Sequence, residues 1–211
     1  MRVMKLHVLG DSISIQYGPH LRAFLGDAFE YSRKEGDIGP LDRPQGANGG
    51  DSDMVLHYLR GGLAEGRRWD VLLLNCGLHD IKTDPATMVC QVPLVRYARN
   101  LEEIVGVAGG IAPHLVWVRT TPVVTAVHNA RTATFRRFAE DVESYNRVAD
   151  GVMAARGVPS IDLHGFTLNL GPNLYADHVH FTEPVRVAQA AFIAGWLLGH
   201  AFAGASPDPH G

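Results

Sequence analysis

Short aliphatic runs alternate along this chain with longer segments whose apolar residues recur every three and four positions, the pattern of βα units feeding a parallel sheet. Strands are predicted at Lys5–Leu9, Phe29–Lys34, Val71–Cys76, Leu115–Thr120 and Pro159–Leu163. Helices are predicted at Ile15–Leu25, Asp53–Glu65, Leu94–Val107, Phe135–Arg156 and Pro184–Leu198. The third strand begins Val-Leu-Leu-Leu and is apolar on both faces, as a central parallel strand is. On the fourth helix Phe135, Phe138, Val142, Tyr145, Ala149 and Val152 form one stripe, and Gly157 stands where a left-handed C-terminal cap belongs. Pro184 suits the first turn of the last helix, with Thr182 a candidate N-cap.

Two polar stretches, 36–50 and 122–134, are too long to be mere connections and are expected to lie over a binding site. In an open parallel sheet ligands collect beyond the carboxyl ends of the strands, so the residues there carry the functional argument. They are Gly10 to Ser12, Asn48 to Ser52, Gly77 to Asp80, Thr120 to Pro122, and Asp177 to His180.

Composition narrows the setting. The 211 residues, 46% hydrophobic and 19% charged, suit one globular domain over 1–202, with 203–211 a flexible tail. A formal net charge of −3 leaves no basic face for nucleic acid. The apolar run at Leu6–Leu9 is too short for a signal-peptide core, and no stretch reaches the roughly 20 apolar residues of a membrane span, so the chain reads as cytoplasmic. Cys76 and Cys90 sit in apolar surroundings and are expected to be reduced. Oligomeric state leaves no mark on the sequence.

A serine hydroxyl attacks only when held at an accessible turn beside a base. Ser12 follows the first strand directly and precedes a helix, whose free N–H groups would favour a developing oxyanion. Taken alone it reads equally well as an N-cap. Asp177 and His180, on one short loop, offer the missing partners: a carboxylate to orient the imidazole and an imidazole to take the serine proton. His178, on an extended loop, would point away from His180 and flank it.

Together these segments resemble the SGNH (GDSL-type) hydrolases, a family of esterases, lipases, thioesterases and carbohydrate deacetylases. Gly10, Asp11 and Ser12 resemble its first block, Gly50 the second-block glycine, and Asp177 with His180 the Asp-x-x-His of the last. The resemblance implies a flavodoxin-like three-layer α/β sandwich on a five-stranded parallel sheet of order 2-1-3-4-5. It further implies Ser12 as nucleophile, His180 and Asp177 as its partners, and the N–H groups of Ser12 and Gly50 as oxyanion donors. The third block departs: the family pattern is Gly-x-Asn-Asp, and here Gly77, Leu78, His79 and Asp80 occupy it. Three consequences are open: His79 donates in place of the amide, which is the favoured reading; its titration shifts the pH optimum; or the oxyanion hole is crippled and the protein is retained for binding.

Asp11, Asp80, Arg119 and His128 are weaker candidates for contact with substrate. Asp80 reads rather as a loop anchor accepting backbone N–H groups, and Arg119 as the partner of a carboxylate such as Asp80. Asn146 is expected to be a hydrogen-bonded core residue, and Trp69, Trp117 and Trp196 core or near-core aromatics. The expected activity is hydrolysis of a small-molecule or carbohydrate ester with a short acyl group, without cofactor. A metal hydrolase built on Asp177, His178, His180 and His79 is the first rival, but neither His-Glu-x-x-His nor a cysteine pair is present, so no metal is expected. The second is a non-catalytic ligand-binding protein with His79 marking decay of the oxyanion hole.

Overall fold

Every predicted strand forms, and a computed structural model, describing residues 2–202, joins them in one parallel sheet of order β2-β1-β3-β4-β5. The strands are Met4–Leu9 (β1), Phe29–Arg33 (β2), Val71–Leu74 (β3), His114–Val118 (β4) and Ser160–Ile161 (β5). The tail expected at 203–211 lies outside the described residues. All four residues of β3 are buried, because β1 and β4 flank it and helices cover both faces. Leu6 lies beside Val71, and Leu72 beside Leu115.

The helices are Ser12–Leu25 (α1), Ser52–Ala64 (α2), Leu94–Gly109 (α3), Thr125–Arg131 (α4), Ala139–Ala155 (α5), Leu163–Leu168 (α6) and Glu183–Gly199 (α7). One layer packs α1 on α7; the other sets α3 between α2 and α5. This is the single-domain, three-layer α/β fold expected. Among the described residues no helix is long and apolar enough to cross a membrane.

The differences from the predicted elements have local causes. α1 begins at Ser12 rather than Ile15 because the Asp11 side chain caps it, accepting the Ile13 N–H at 2.9 Å. α5 begins at Ala139 rather than at Phe135. The backbone of Arg136 pairs in both directions with Thr83, at 2.8 and 2.9 Å, and this competes with a helical conformation there. Phe135 and Phe138 therefore leave the stripe; Val142, Tyr145 and Ala149 are buried as expected, and Met153 takes the buried place expected for Val152. Gly157 closes the helix at φ +65°, as predicted. The stretch 122–134 contains α4, seven residues and too short for a clear period, and α6 was likewise not anticipated. Thr182 occupies the N-cap position of α7 without a side-chain capping bond. Trp117 is fully buried, while Trp69 stacks on buried His7 at 3.8 Å between ring centroids. Asn146 is fully buried and bonds both the N–H and the carbonyl of Thr120. Both cysteines are free thiols.

After β3 the chain turns through Gly77 at φ +152°, where a Cβ would stand 2.3 Å from Thr120 Oγ1. Asp80, fully buried, then ties this turn to the start of α2. Its two carboxylate oxygens accept the Ser52 N–H at 2.9 and 3.1 Å. Burial pushes its carboxyl up to about 8, against the pull of the Ser52 bonds. With its oxygens so engaged, Asp80 is not the partner of Arg119, contrary to expectation: Arg119 pairs with Asp162 at 2.6 Å and Asp150 at 3.1 Å. Asp80→Ala leaves the Ser52 N–H without an acceptor in the interior, and chemical denaturation should show a loss of about 1–3 kcal/mol. An unchanged unfolding midpoint would show that the tie contributes nothing.

Candidate functional site

Ser12 opens α1 directly beyond β1 and is 5% exposed. Its N–H is the first of the helix, where no intrahelical acceptor exists. The chain crossing beside it is held close by a bond from Gly49 N–H to Gly10 carbonyl at 2.9 Å. Ser12 Oγ lies 2.9 Å from His180 Nε2, and His180 Nδ1 lies 2.7 Å from Asp177 Oδ2.

The short Asp-x-x-His loop is organised by that same carboxylate. Asp177 Oδ1 accepts the N–H groups of Val179 and His180 at 2.8 and 2.7 Å, closing a turn that aims the imidazole back at Oδ2. Buried Val179 and Phe181 anchor the loop in the core, and Arg131 on α4 donates to the Asp177 carbonyl at 3.0 Å. Burial alone would raise Asp177, but the two backbone N–H groups and the imidazole outweigh it and hold the carboxyl below the ordinary range. A carboxylate at Nδ1 places the imidazole proton there, leaving a lone pair on Nε2 for the serine hydroxyl.

Gly50 and His79 are the further expected oxyanion donors. Gly50, at φ +76°, directs its N–H to Asn48 Oδ1 at 2.9 Å. His79 is 1% exposed and its Nδ1 has no partner. Burial, reinforced by Lys82, Arg137 and His180, pushes its imidazole well below the usual value.

The weaker candidates divide. Asp11 acts as the α1 cap, and burial raises its carboxyl. Arg119 is occupied by its two ion pairs. His128 is not on a loop but on α4 and fully buried, with Nδ1 3.0 Å from His178 Nδ1. His178 was expected to turn away from His180. Because Asp177 bends the loop, the two rings instead meet edge to face at 5.9 Å, and His178 Nε2 bonds Asp42 Oδ2 at 2.9 Å. Three nearby groups escaped the sequence: Asp42, and Lys82 and Arg137, which place cations 4.7 and 4.9 Å from the Phe135 ring centre. No periodicity marks such residues, since they come from three irregular segments.

Ligand atoms of Asp177, His178 and His180 lie within 4.8 Å of one another, a spacing a metal could use. The nitrogens of His180 face Asp177 and Ser12, however, and those of His178 face His128 and Asp42, so neither imidazole has a nitrogen free for an ion.

A parallel α/β sheet with serine, histidine and aspartate assembled at its carboxyl edge defines the class of protein to which this one is to be compared. The GDSL-like lipase/acylhydrolase family model matches residues 8–184, and the chain belongs to that family. Comparison with curated sequences finds no match. Similar solved structures include a carbohydrate acetylesterase from Sinorhizobium meliloti, at 17% identity and TM-score 0.64, covering 92% of this chain and 98% of that one. An aryl esterase from M. smegmatis gives 18% identity and TM-score 0.65 over 93% and 99% of the two chains. An acetylxylan esterase from Geobacillus stearothermophilus gives 16% and 0.64 over 95% and 96%.

The depressed Asp177 carboxyl has a definite sign in the stability profile. Its ionised form stabilises the fold above the ordinary carboxylate range near 4, and that contribution is lost as pH falls through its lower folded-state value. Thermal unfolding should therefore show Asp177→Asn less stable than wild type at neutral pH, the gap narrowing as the solution is acidified. A gap independent of pH would mean that the charge plays no part.

Proposed function

We propose that this protein is a serine esterase that hydrolyses short-chain acyl esters, O-acetyl groups on carbohydrates among them. The observation that carries the reading is the continuous chain of contacts from Ser12 Oγ to His180 Nε2, and from His180 Nδ1 to Asp177, at 2.9 and 2.7 Å. Ser12 Oγ attacks the ester carbonyl carbon and gives its proton to His180, while Asp177 stabilises the imidazolium so formed. The tetrahedral oxyanion is met by the N–H groups of Ser12 and Gly50 and by His79; Gly50 exchanges its Asn48 contact for the substrate. As the intermediate collapses, the leaving alkoxide takes the proton from His180. A water, deprotonated by the same imidazole, then releases the acid from the acyl-serine. No cofactor enters the cycle.

Two features favour a short acyl group. Loops 36–52 and 122–134 carry few large apolar side chains, which a long chain would need. Similar folds include the acetylxylan and carbohydrate acetylesterases reported above.

p-Nitrophenyl acetate, butyrate and octanoate, given to wild type and Ser12→Ala, test the reading. Wild type should turn over the acetate fastest and the octanoate slowest, and Ser12→Ala should lose on the order of 10⁴-fold or more in kcat. Equal rates for the two proteins, or equal inertness, would remove Ser12 as nucleophile and favour a binding protein instead.

A further inference from the structure

Arg137 is 2% exposed, and its Nη1 is buried without a hydrogen-bond partner among the described residues. Its Nε donates to the Leu78 carbonyl at 2.7 Å, and its guanidinium lies over Phe135. Among the described residues no carboxylate comes within ion-pair distance of it. A guanidinium so placed is costly to bury, yet it stays charged: burial lowers it only to about 10, opposed by the more distant carboxylates of Asp42, Asp11 and Asp177. Its one buried hydrogen bond goes to the peptide immediately before His79.

To serve as an oxyanion donor, His79 must keep a proton on the nitrogen that faces the substrate. A neutral imidazole has one N–H, and two tautomers compete for it. Nδ1 of His79 is buried and unpartnered. An N–H there would be an orphaned buried donor, which is costlier than an unpaired lone pair, and Lys82 and Arg137 both disfavour added positive charge on the ring. Asp80, the nearest carboxylate in sequence, is spent on Ser52 and does not compensate.

We propose that Arg137 is the positioning residue of the oxyanion hole: it fixes the turn bearing His79 and holds that imidazole neutral, with its proton on Nε2, as the donor to the oxyanion. The inference rests on the esterase reading above. The groups that bear on His79 are Lys82 and Arg137, and His180 when it is protonated, all acting in the same direction as burial.

Kinetics of Arg137→Gln, Arg137→Lys, His79→Asn and the double variant Arg137→Gln/His79→Asn on p-nitrophenyl acetate, between about pH 5 and about pH 9, test it. Arg137→Gln should lower kcat at least about tenfold with KM within about twofold, and add an acid-side inflection as His79 begins to titrate. Arg137→Lys, which keeps the charge, should remove the inflection. An amide has no tautomer to choose and does not titrate, so in the His79→Asn background Arg137→Gln should cost several-fold less and produce no inflection. Equal losses in both backgrounds with unchanged pH profiles would overturn the proposal and leave Arg137 a purely structural residue. Imidazole nitrogen NMR of the wild type gives a reading independent of turnover: His79 should appear as the Nε2–H tautomer without titrating, and an Nδ1–H form or a titration in this range would refute the assignment. Activity unaffected by Ser12→Ala would defeat the esterase reading, a result distinct from either outcome for Arg137.

Discussion

The carboxylate of Asp177 is the contact on which the site turns. One oxygen accepts two backbone N–H groups and so shapes the loop; the other holds the His180 imidazole. Loop and imidazole are thereby set by a single side chain, and the imidazole reaches a serine 168 positions away in the chain. That reach depends on the sheet. Because all five strands are parallel, their carboxyl ends lie along one edge, and the segments that follow β1, β3 and β4 are delivered to the same place. The core supplies rigidity: β3 is buried throughout, and Val179 and Phe181 plant the loop bearing Asp177 and His180 in apolar surroundings.

The legible parts of the sequence were those governed by period and by local chemistry. Runs such as Val71 to Leu74 and stripes such as Val142, Tyr145 and Ala149 follow from burial of one face or two, and they placed the strands and the long helices. The Asp-x-x-His spacing is equally local, since one carboxylate can organise three residues after it without help from elsewhere. What could not be read depends on contacts between distant segments. Arg136 is drawn into backbone pairing with Thr83, which delays α5 and places Phe135 beside Lys82 and Arg137. Asp42 meets His178 across 136 positions, and α4 brings His128 to the same cluster. Each of these residues, seen in sequence, is an ordinary polar residue in an irregular segment.

The polar cluster around Phe135 also bears on how the third block departs from the family pattern. A side-chain amide is insensitive to its electrostatic surroundings, whereas an imidazole changes charge and tautomer with them. A histidine at position 79 therefore makes a demand that an amide would not: its environment must select one form out of three. The surroundings meet that demand from several directions. Burial disfavours the charged form, Lys82 and Arg137 disfavour it further, and the bond to Leu78 fixes the turn on which the ring sits.

A decayed oxyanion hole would need none of this. Loss of function at residue 79 leaves no reason to bury an arginine whose Nη1 finds no acceptor, and a less polar residue at position 137 would spare the fold that cost. The same holds for the second imidazole chain. His178 Nε2 lies 2.9 Å from Asp42 Oδ2, and His178 Nδ1 lies 3.0 Å from His128 Nδ1. This chain runs beside the one from Asp177 to Ser12 and braces the 177–180 loop against α4 and the 36–50 segment. Polar networks removed from water are stabilising when their members find partners, and among the described residues every ring nitrogen of this one does except His128 Nε2. Retention of so much ordered polarity beside Ser12 and His180 is the physical ground on which we propose His79 as a working part of the site rather than its failure.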